Sequence, residues 1–400
     1  MRSGSDGGPR VLLVCGDLRP GLDGVADYVT RLAAELRAAG ATVRILCTGP
    51  EPSPPGARSV GRRWTPSALA TAARAARGAD VVHVQFAPSM YRFRAGIGLL
   101  PPALGRAPLV VTLHEYGWWR WERALPGRLW RLVERRRLAD RETVLLVPRA
   151  AAAVVTNPAH AAVLQRRFAG RVRSTAVPIG ANVGVAEVDR ATARREVRAE
   201  LGVAADAVLV AFFGFVHPVK GVRYLAEAVA TLVAEGRDVH LLVVGGFESL
   251  ALPADEARAF ERELRGQVAD AGAGERTAFT GFLAADAASR LLAACDLACL
   301  PFTAGVTAKS GSLLTVLAHG LPTLVTAPPD GADPELADGL RVLTASPVRD
   351  GAALATGLRR LLDDPGLAAR VAEAGKAWAA ERDWSGIAAR HLALYAEVGA

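Results

Sequence analysis

The sequence predicts an α/β protein made of two Rossmann-like domains in tandem, each a parallel sheet covered on both faces by helices. Three observations predict it. Short, continuous apolar runs alternate with segments of helical period, the pattern of strands buried on both faces. The rhythm breaks after Pro178-Ile179-Gly180, where residues 187–200 turn polar and charged, and then it restarts. Four hundred residues, at roughly 150 per domain, leave room for two or three domains.

The elements follow in order. Residues 11–15 form a strand. A glycine-rich loop leads to a helix over 26–39, with Val29, Leu32, Ala33 and Leu36 on one face. Strands are expected over 43–47, 81–85 and 109–113, with a helix over 66–77. Pro126 suits a first helical turn, where its missing N–H costs nothing, and that helix runs to about 139 with Leu129, Leu132 and Val133 inward. Residues 144–146 are helical or a connection. A strand over 153–156, a helix over 158–168 and a short strand over 174–177 complete the first half. In the second half strands are expected over 208–214, 240–244, 277–280, 297–301 and 323–326. The helices between and after them cover 222–235, 256–271, 285–294, 312–319 and 351–363.

Composition excludes several classes. The chain is 51% hydrophobic and 22% charged with mean hydropathy +0.20, which excludes a disordered chain, a collagen and a coiled coil. No apolar run reaches the roughly 20 residues of a membrane-spanning helix. Residues 1–10 are polar and glycine-rich and hold no signal-peptide core, so a cytoplasmic location is expected. Cys15, Cys47, Cys295 and Cys299 lack the partners of a zinc set and read as buried free thiols. The formal charge is +8, yet the chain has 45 arginines and three lysines, Lys220, Lys309 and Lys376. Depletion of lysine and asparagine marks a GC-rich genome, so the basic balance is weak evidence for nucleic acid, and no nucleic-acid partner is expected. A lysine that survives this bias marks a place where a compact ammonium is wanted.

Four loops at carboxyl ends of strands are candidate sites. Residues 16–24, with Gly21 and Gly24 and followed by Asp27, form a glycine-rich turn that fails the GxGxxG dinucleotide pattern. His114 and Glu115 follow the strand 109–113, whereas His83 lies within a strand and reads as a core residue. Gly214 ends a strand, and Lys220-Gly221 then opens a helix whose free N–H groups favour an anion. Finally, residues 301–315 run from a strand through Thr307, Lys309, Ser310 and Gly311 into an apolar helix. There the backbone of Ser310, Gly311, Ser312 and Leu313, with Lys309, suits a diphosphate.

With these residues in place, the chain resembles the GT-B nucleotide-sugar glycosyltransferases, in the family-4 group of retaining enzymes. The marks are the Gly21–Gly24 loop, the His114 segment, Gly214 to Gly221, Thr280-Gly281-Phe282, Asp296-Leu297 with Pro301, and Ala318-His319-Gly320-Leu321-Pro322. The resemblance covers nearly the whole chain. It implies two Rossmann-like domains facing each other across a cleft. The expected division is an acceptor domain over 1–183, a donor domain over 184–375, and a C-terminal helix in 376–400 crossing back. It implies a sugar moved from a nucleoside diphosphate donor to a hydroxyl or amine of a small-molecule or glycan acceptor, with retention and without metal or cofactor. His114, Lys220 and Thr307 would be catalytic. Gly214, Lys220 and 309–313 would bind the diphosphate, and Gly281, Phe282 and Thr315 the nucleoside. Gly21, Gly24, Asp27, Glu115 and Trp118 would meet the acceptor. The sequence departs from the family where an arginine commonly follows the phosphate-loop glycine, since Phe215 stands there. Thr307 and Thr315 occupy the positions of two glutamates eight apart, and a neutral hydroxyl holds a ligand more weakly than a carboxylate.

The segment 117–142 holds Trp118, Trp119, Trp121 and Trp130 with eight arginines against four acids. Three readings fit it: a packed helix with a solvated basic face, a membrane-surface patch, or an acceptor-binding wall. Between the last two, the acceptor wall is favoured. The GC-rich composition suits bacterial natural-product or cell-surface glycan biosynthesis. A non-catalytic nucleotide-sugar-binding protein and a GT-B nucleotide-sugar epimerase are the alternatives.

Overall fold

The computed structural model describes residues 8–50, 56–122, 125–250, 252–331 and 333–399. It divides into two compact units, Met1–Ile179 with Trp384–Ala400, and Gly180–Asp383.

The first unit holds a seven-stranded sheet. Its strands are β1 (Arg10–Asp17), β2 (Thr42–Thr48), β3 (Ala57–Ser59), β4 (Val81–Phe86), β5 (Leu109–Leu113), β6 (Ala152–Val155) and β7 (Ser174–Ala176), in the order β3-β2-β1-β4-β5-β6-β7. Every ladder in it is parallel. β1 is central because all of its residues after Arg10 are buried. The chain leaves β1 into the helix Gly24–Ala38, which starts where the Asp23 carboxylate accepts the N–H groups of Val25 and Ala26. The last helix, Trp384–Gly399, belongs to this unit. Its Ile387, Ala388, Leu394 and Tyr395 join the same core, and Trp384 packs 5.1 Å from the Tyr28 ring.

The second unit holds six parallel strands, β8 (Val208–Phe213), β9 (Val239–Val244), β10 (Thr277–Phe279), β11 (Leu297–Leu300), β12 (Thr323–Thr326) and β13 (Leu343–Ala345), in the order β10-β9-β8-β11-β12-β13. In both sheets the order reverses beside the first strand of the unit. Both units therefore form a crevice at the carboxyl ends of their strands, where ligands of such sheets bind.

Three differences from the sequence reading have physical causes. β3 and β13 were not expected, because a three-residue edge strand carries too little pattern to see. The polar stretch after 187, where no element was expected, is helical. It is the helix Arg190–Leu201, capped by Asp189, whose Oδ2 accepts from Thr192 N at 2.8 Å. Its packing is partly ionic: buried Arg198 donates to Asp296 at 2.7 Å and to the Ala294 carbonyl at 2.7 Å. An apolar stripe is thus largely missing from its sequence. In the helix Gly127–Arg135, Leu129 and Leu132 point outward, 43% and 46% exposed, and the buried residues are Trp130 and Glu134. Glu134 receives a two-pronged ion pair from Arg141 at 2.6 and 2.7 Å, so a carboxylate takes the inward place expected of leucine.

Candidate active site

In the first unit the candidate residues gather at the carboxyl ends of β1, β4 and β5. The Asp27 carboxylate accepts from Gly21 N at 2.8 Å, which fixes the loop after β1 over the start of its helix. Gly21 takes φ 78°, a left-handed turn that a side chain would strain. Burial raises the Asp27 carboxyl above its ordinary range, and the Gly21 bond opposes the rise. Gly24 is exposed at the first helical position.

His114 leaves β5 half-buried, with its ring 4.7 Å from Tyr28 in an edge-on contact. Its Nε2–H donates to Gln85 Oε1 at 2.9 Å. The Gln85 amide in turn donates to His83 Nε2 at 3.1 Å, and Thr112 Oγ1 lies 2.7 Å from the same nitrogen. His83 Nδ1 then faces the Tyr395 hydroxyl at 2.6 Å. His83, Gln85 and Thr112 are wholly buried, and burial pushes His83 well below the usual histidine range, which keeps it neutral. The Gln85 contact places a proton on His114 Nε2. His83 is a core residue, as expected from its place in a strand. Gln85 and Tyr395 were missed. Each lies in an apolar stretch, and only folding brings them together across 310 positions.

Glu115 is half-buried beside His114, and Trp118 is 60% exposed. The Trp118 ring meets Phe93 edge-on at 5.9 Å. The rest of the tryptophan cluster is structural. Trp119 and Trp130 are buried, and Trp121 donates its indole N–H to the Asp140 carbonyl at 3.1 Å. Beneath them lies an ionic core. Arg167 reaches Asp140 at 3.0 Å and pairs with Glu142, Tyr116 donates to Asp140 at 3.0 Å, and Gly117 N donates to Glu142 at 2.9 Å. Of the favoured acceptor wall, Trp118 is the most open of the four tryptophans, and Trp121, 38% exposed, is tied down by its indole bond.

In the second unit the loops after β8 and β11 meet. A Cβ on Gly214, whose φ is 127°, would fall 2.4 Å from Ser312 Oγ. One on Gly221, φ 68°, would fall 2.0 Å from the Pro301 carbonyl oxygen. Both φ values lie in the left-handed region that favours glycine, and at Gly221 the two loops approach through their backbones. Thr303 N closes the join by donating to the Val219 carbonyl at 2.9 Å. Lys220 is half-buried there, with Nζ 3.6 Å from the centre of the Phe302 ring. No carboxylate pairs with it among the described residues, and burial draws its ammonium down to about 8.

Ser310 caps the helix Gly311–Ala318, its Oγ accepting from Leu313 N at 3.3 Å. That bond engages the Leu313 amide expected for a diphosphate and leaves the first-turn amides of Gly311 and Ser312 without the helical acceptor four residues back. Lys309 is exposed at the same loop and has no ion pair among the described residues. Thr307 is half-buried. Its carbonyl accepts from Ser310 N at 3.0 Å, and its loop is tied down where Val306 N donates to Thr326 O at 2.8 Å. Gly281, φ 69°, and Phe282, 64% exposed, follow β10, with Phe282 beside Gly246.

Thr315 is a correction. The expected nucleoside contact is fully buried: its hydroxyl donates to Gly311 O at 2.9 Å and accepts from Val183 N at 3.3 Å. A side chain with both roles engaged in the core is not placed to hold a ribose. His319 is likewise scaffold. Its Nδ1 donates to Thr315 O at 2.8 Å, and its Nε2 accepts from Ser289 Oγ at 2.8 Å, which locks two helices together. All four cysteines are buried, and none forms a disulfide among the described residues. No group of three or more His, Cys, Asp or Glu suited to a metal ion gathers among the described residues, and no helix among them is long and apolar enough to cross a membrane.

Comparison with known proteins supports both halves. Residues 23–180 match the family described as Glycosyl transferase 4-like domain, and residues 207–364 match Glycosyl transferases group 1. The 2-deoxystreptamine glucosyltransferase of Streptomyces kanamyceticus is 30% identical over 207 residues, 51% of this chain and 48% of that protein. The match therefore spans about half the length of that relative. The sucrose-phosphate synthase of Thermosynechococcus elongatus has the same fold with TM-score 0.70 at 20% identity, over 98% of this chain and 99% of that one. Anabaena HepE, solved in complex with UDP and glucose, superposes with TM-score 0.70 at 18% identity, over 97% of this chain and 100% of that one. With a glycosyltransferase domain matched in each half, on a fold shared along nearly its whole length, the chain belongs to the GT-B glycosyltransferases.

Proposed function

We propose that this protein moves a sugar from a nucleoside diphosphate sugar to a hydroxyl or amine of a small-molecule or glycan acceptor, with retention at the anomeric carbon. The bond from the anomeric carbon to the diphosphate oxygen breaks, the bond to the acceptor forms, and the acceptor gives up its proton. Lys220 carries the reading. A cation drawn out of water, with no carboxylate beside it, is poised for an anion that arrives with the substrate. There it would stabilise charge developing on the leaving diphosphate, aided by the amides of Gly311 and Ser312 and by Lys309. Phe282 would stack on the base, and Thr307 would contact the transferred sugar. His114 Nδ1 would accept a hydroxyl proton of the sugar or acceptor, with Gly21, Gly24, Asp27, Glu115 and Trp118 on the acceptor side.

Retention follows the family resemblance. The place in bacterial natural-product or cell-surface glycan biosynthesis follows the GC-rich composition and the Streptomyces relative. The donor is the substrate, and no further cofactor, metal, nucleic acid or membrane partner enters this reading, set in the cytoplasm. Thermal-shift measurement against UDP-, GDP-, ADP- and dTDP-sugars tests it. One base should raise Tm selectively, because a ligand that binds the native state stabilises it by mass action. That donor should then release its nucleoside diphosphate on incubation with acceptor. No response to any donor, or an equal response to all four, would overturn the proposal.

A further inference from the structure

A cavity of about 380 Å³ opens at the same sheet edge as His114, ringed by Arg62, Arg63, Arg92 and Arg94 over a floor that includes Trp64 and Tyr91. None of the acceptor residues expected from the sequence lines it. All four arginines are exposed at the rim, while Trp64 and Tyr91 are buried. The carboxylate that meets this group is Asp17, itself buried. It holds Arg92 at 3.1 Å and is already shared with Arg19 at 3.1 Å. Among the described residues the guanidinium groups of Arg62, Arg63 and Arg94 have no ion pair and no hydrogen bond. Some other arginines of this chain are held by carboxylates, as at Glu134, Asp140, Glu142 and Asp296. Here like charges face one cavity and repel, a cost that an entering anion removes.

The floor says what else the ligand carries. The Trp64 indole N–H is spent on the Cys15 carbonyl at 3.2 Å, and the Tyr91 hydroxyl on the Gln85 carbonyl at 2.8 Å. What these rings offer the cavity is apolar surface, which suits the C–H face of a sugar ring. Arg92 and Phe93 both take left-handed backbone angles, φ 52° and 55°, an arrangement that non-glycine residues rarely adopt. Phe93, between the two rim arginines, is the residue that meets Trp118. Gln85 joins the cavity to the catalytic edge, since its carbonyl holds Tyr91 and its side chain holds His114.

We propose that this cavity binds the phosphate of a phosphorylated sugar or polyol, which makes the acceptor of this enzyme an organic phosphate. This rests on reading the first unit as the acceptor side. Phosphate is favoured over carboxylate because one guanidinium fork satisfies a carboxylate. A phosphate dianion, with three terminal oxygens, uses several.

The test is calorimetric titration in phosphate-free buffer at low salt with glucose 6-phosphate, glucuronate and glucose as probes. Glucose 6-phosphate should bind at least about tenfold more tightly than the other two, and salt should weaken it. The double variant Arg62→Gln, Arg94→Gln should lose about tenfold or more in affinity, and Lys220→Ala should lose none. If the double variant does not melt cooperatively, Arg63→Gln replaces it. Glucuronate binding as well as glucose 6-phosphate, an unaffected arginine variant, or loss of binding in Lys220→Ala would each overturn the proposal, the last by placing the phosphate at the donor loops. UDP titration into the same variants keeps the donor reading separate, because the arginine changes should leave it intact.

Discussion

The two sheet edges solve recognition in different ways. The edge of the second unit is mostly backbone. Gly214 and Gly221 let two loops close on each other, helix amides are offered at Gly311 and Ser312, and one desolvated ammonium, Lys220, supplies charge. The edge of the first unit is mostly side chain: His114 on a buried relay, an open Trp118–Phe93 pair, and four arginines around a cavity. A diphosphate is the same in every donor and can be met by main chain. An acceptor differs from enzyme to enzyme and is met by what the side chains can vary. The second edge should therefore be intolerant of change and the first adjustable.

Four experiments break or sharpen that contrast. The largest effect is expected at Thr315. Thr315→Glu places a carboxylate where the threonine hydroxyl bridges Val183 N and Gly311 O in a fully buried position. An unpaired buried charge costs several kcal/mol, so denaturant titration should show a loss of about 3 kcal/mol or more. A variant as stable as the parent, with tighter nucleotide binding, would return Thr315 to the nucleoside site.

Next is Lys220→Ala, expected to lower kcat/KM by about 2–4 kcal/mol, the size of one electrostatic donor lost from a transition state. Stability should move the other way. Lys220 in the native protein titrates near about 8, below the roughly 10.4 of an unfolded chain. Between those values the unfolded state holds more protons, so the stability of the ligand-free protein gains with rising pH across that window. Lys220→Met should erase this gain and raise Tm at neutral pH. Nucleotide affinity, which needs the charged form, should fall above about pH 8 in the parent and not in the variant.

Third is Gln85→Leu, which removes the acceptor of His114 Nε2–H. Loss of one such orienting bond should reduce kcat by about tenfold to a hundredfold, through a displaced alkaline or acid limb of the pH profile, with KM for the donor little changed. Gln85→Glu, which keeps the acceptor oxygen, should recover part of the rate. An unshifted profile would make the relay scaffold only. The smallest change is Trp118→Ala, expected to weaken acceptor KM by about 1 kcal/mol while leaving donor binding alone.

Sequence alone determined a good deal of this protein. The alternation of apolar runs and helical periods named both parallel sheets, because strands buried on two faces must be continuously apolar. The loops after β8 and β11 were legible because their requirements are local: a glycine where backbones touch, a lysine kept against a strong arginine bias, a helix start. The tertiary structure decided the rest. Whether Thr315 faces ligand or core depends on Val183, 132 positions away in the chain. The helix Arg190–Leu201 was not legible as a helix because part of its packing energy comes from Asp296 and not from an apolar stripe. The His83–Gln85–His114 relay ends on Tyr395, and the arginine cavity draws on two loops about 30 residues apart. Charge and hydrogen bonding pair residues by position in space, without period along the chain, and only the folded chain brings those partners together.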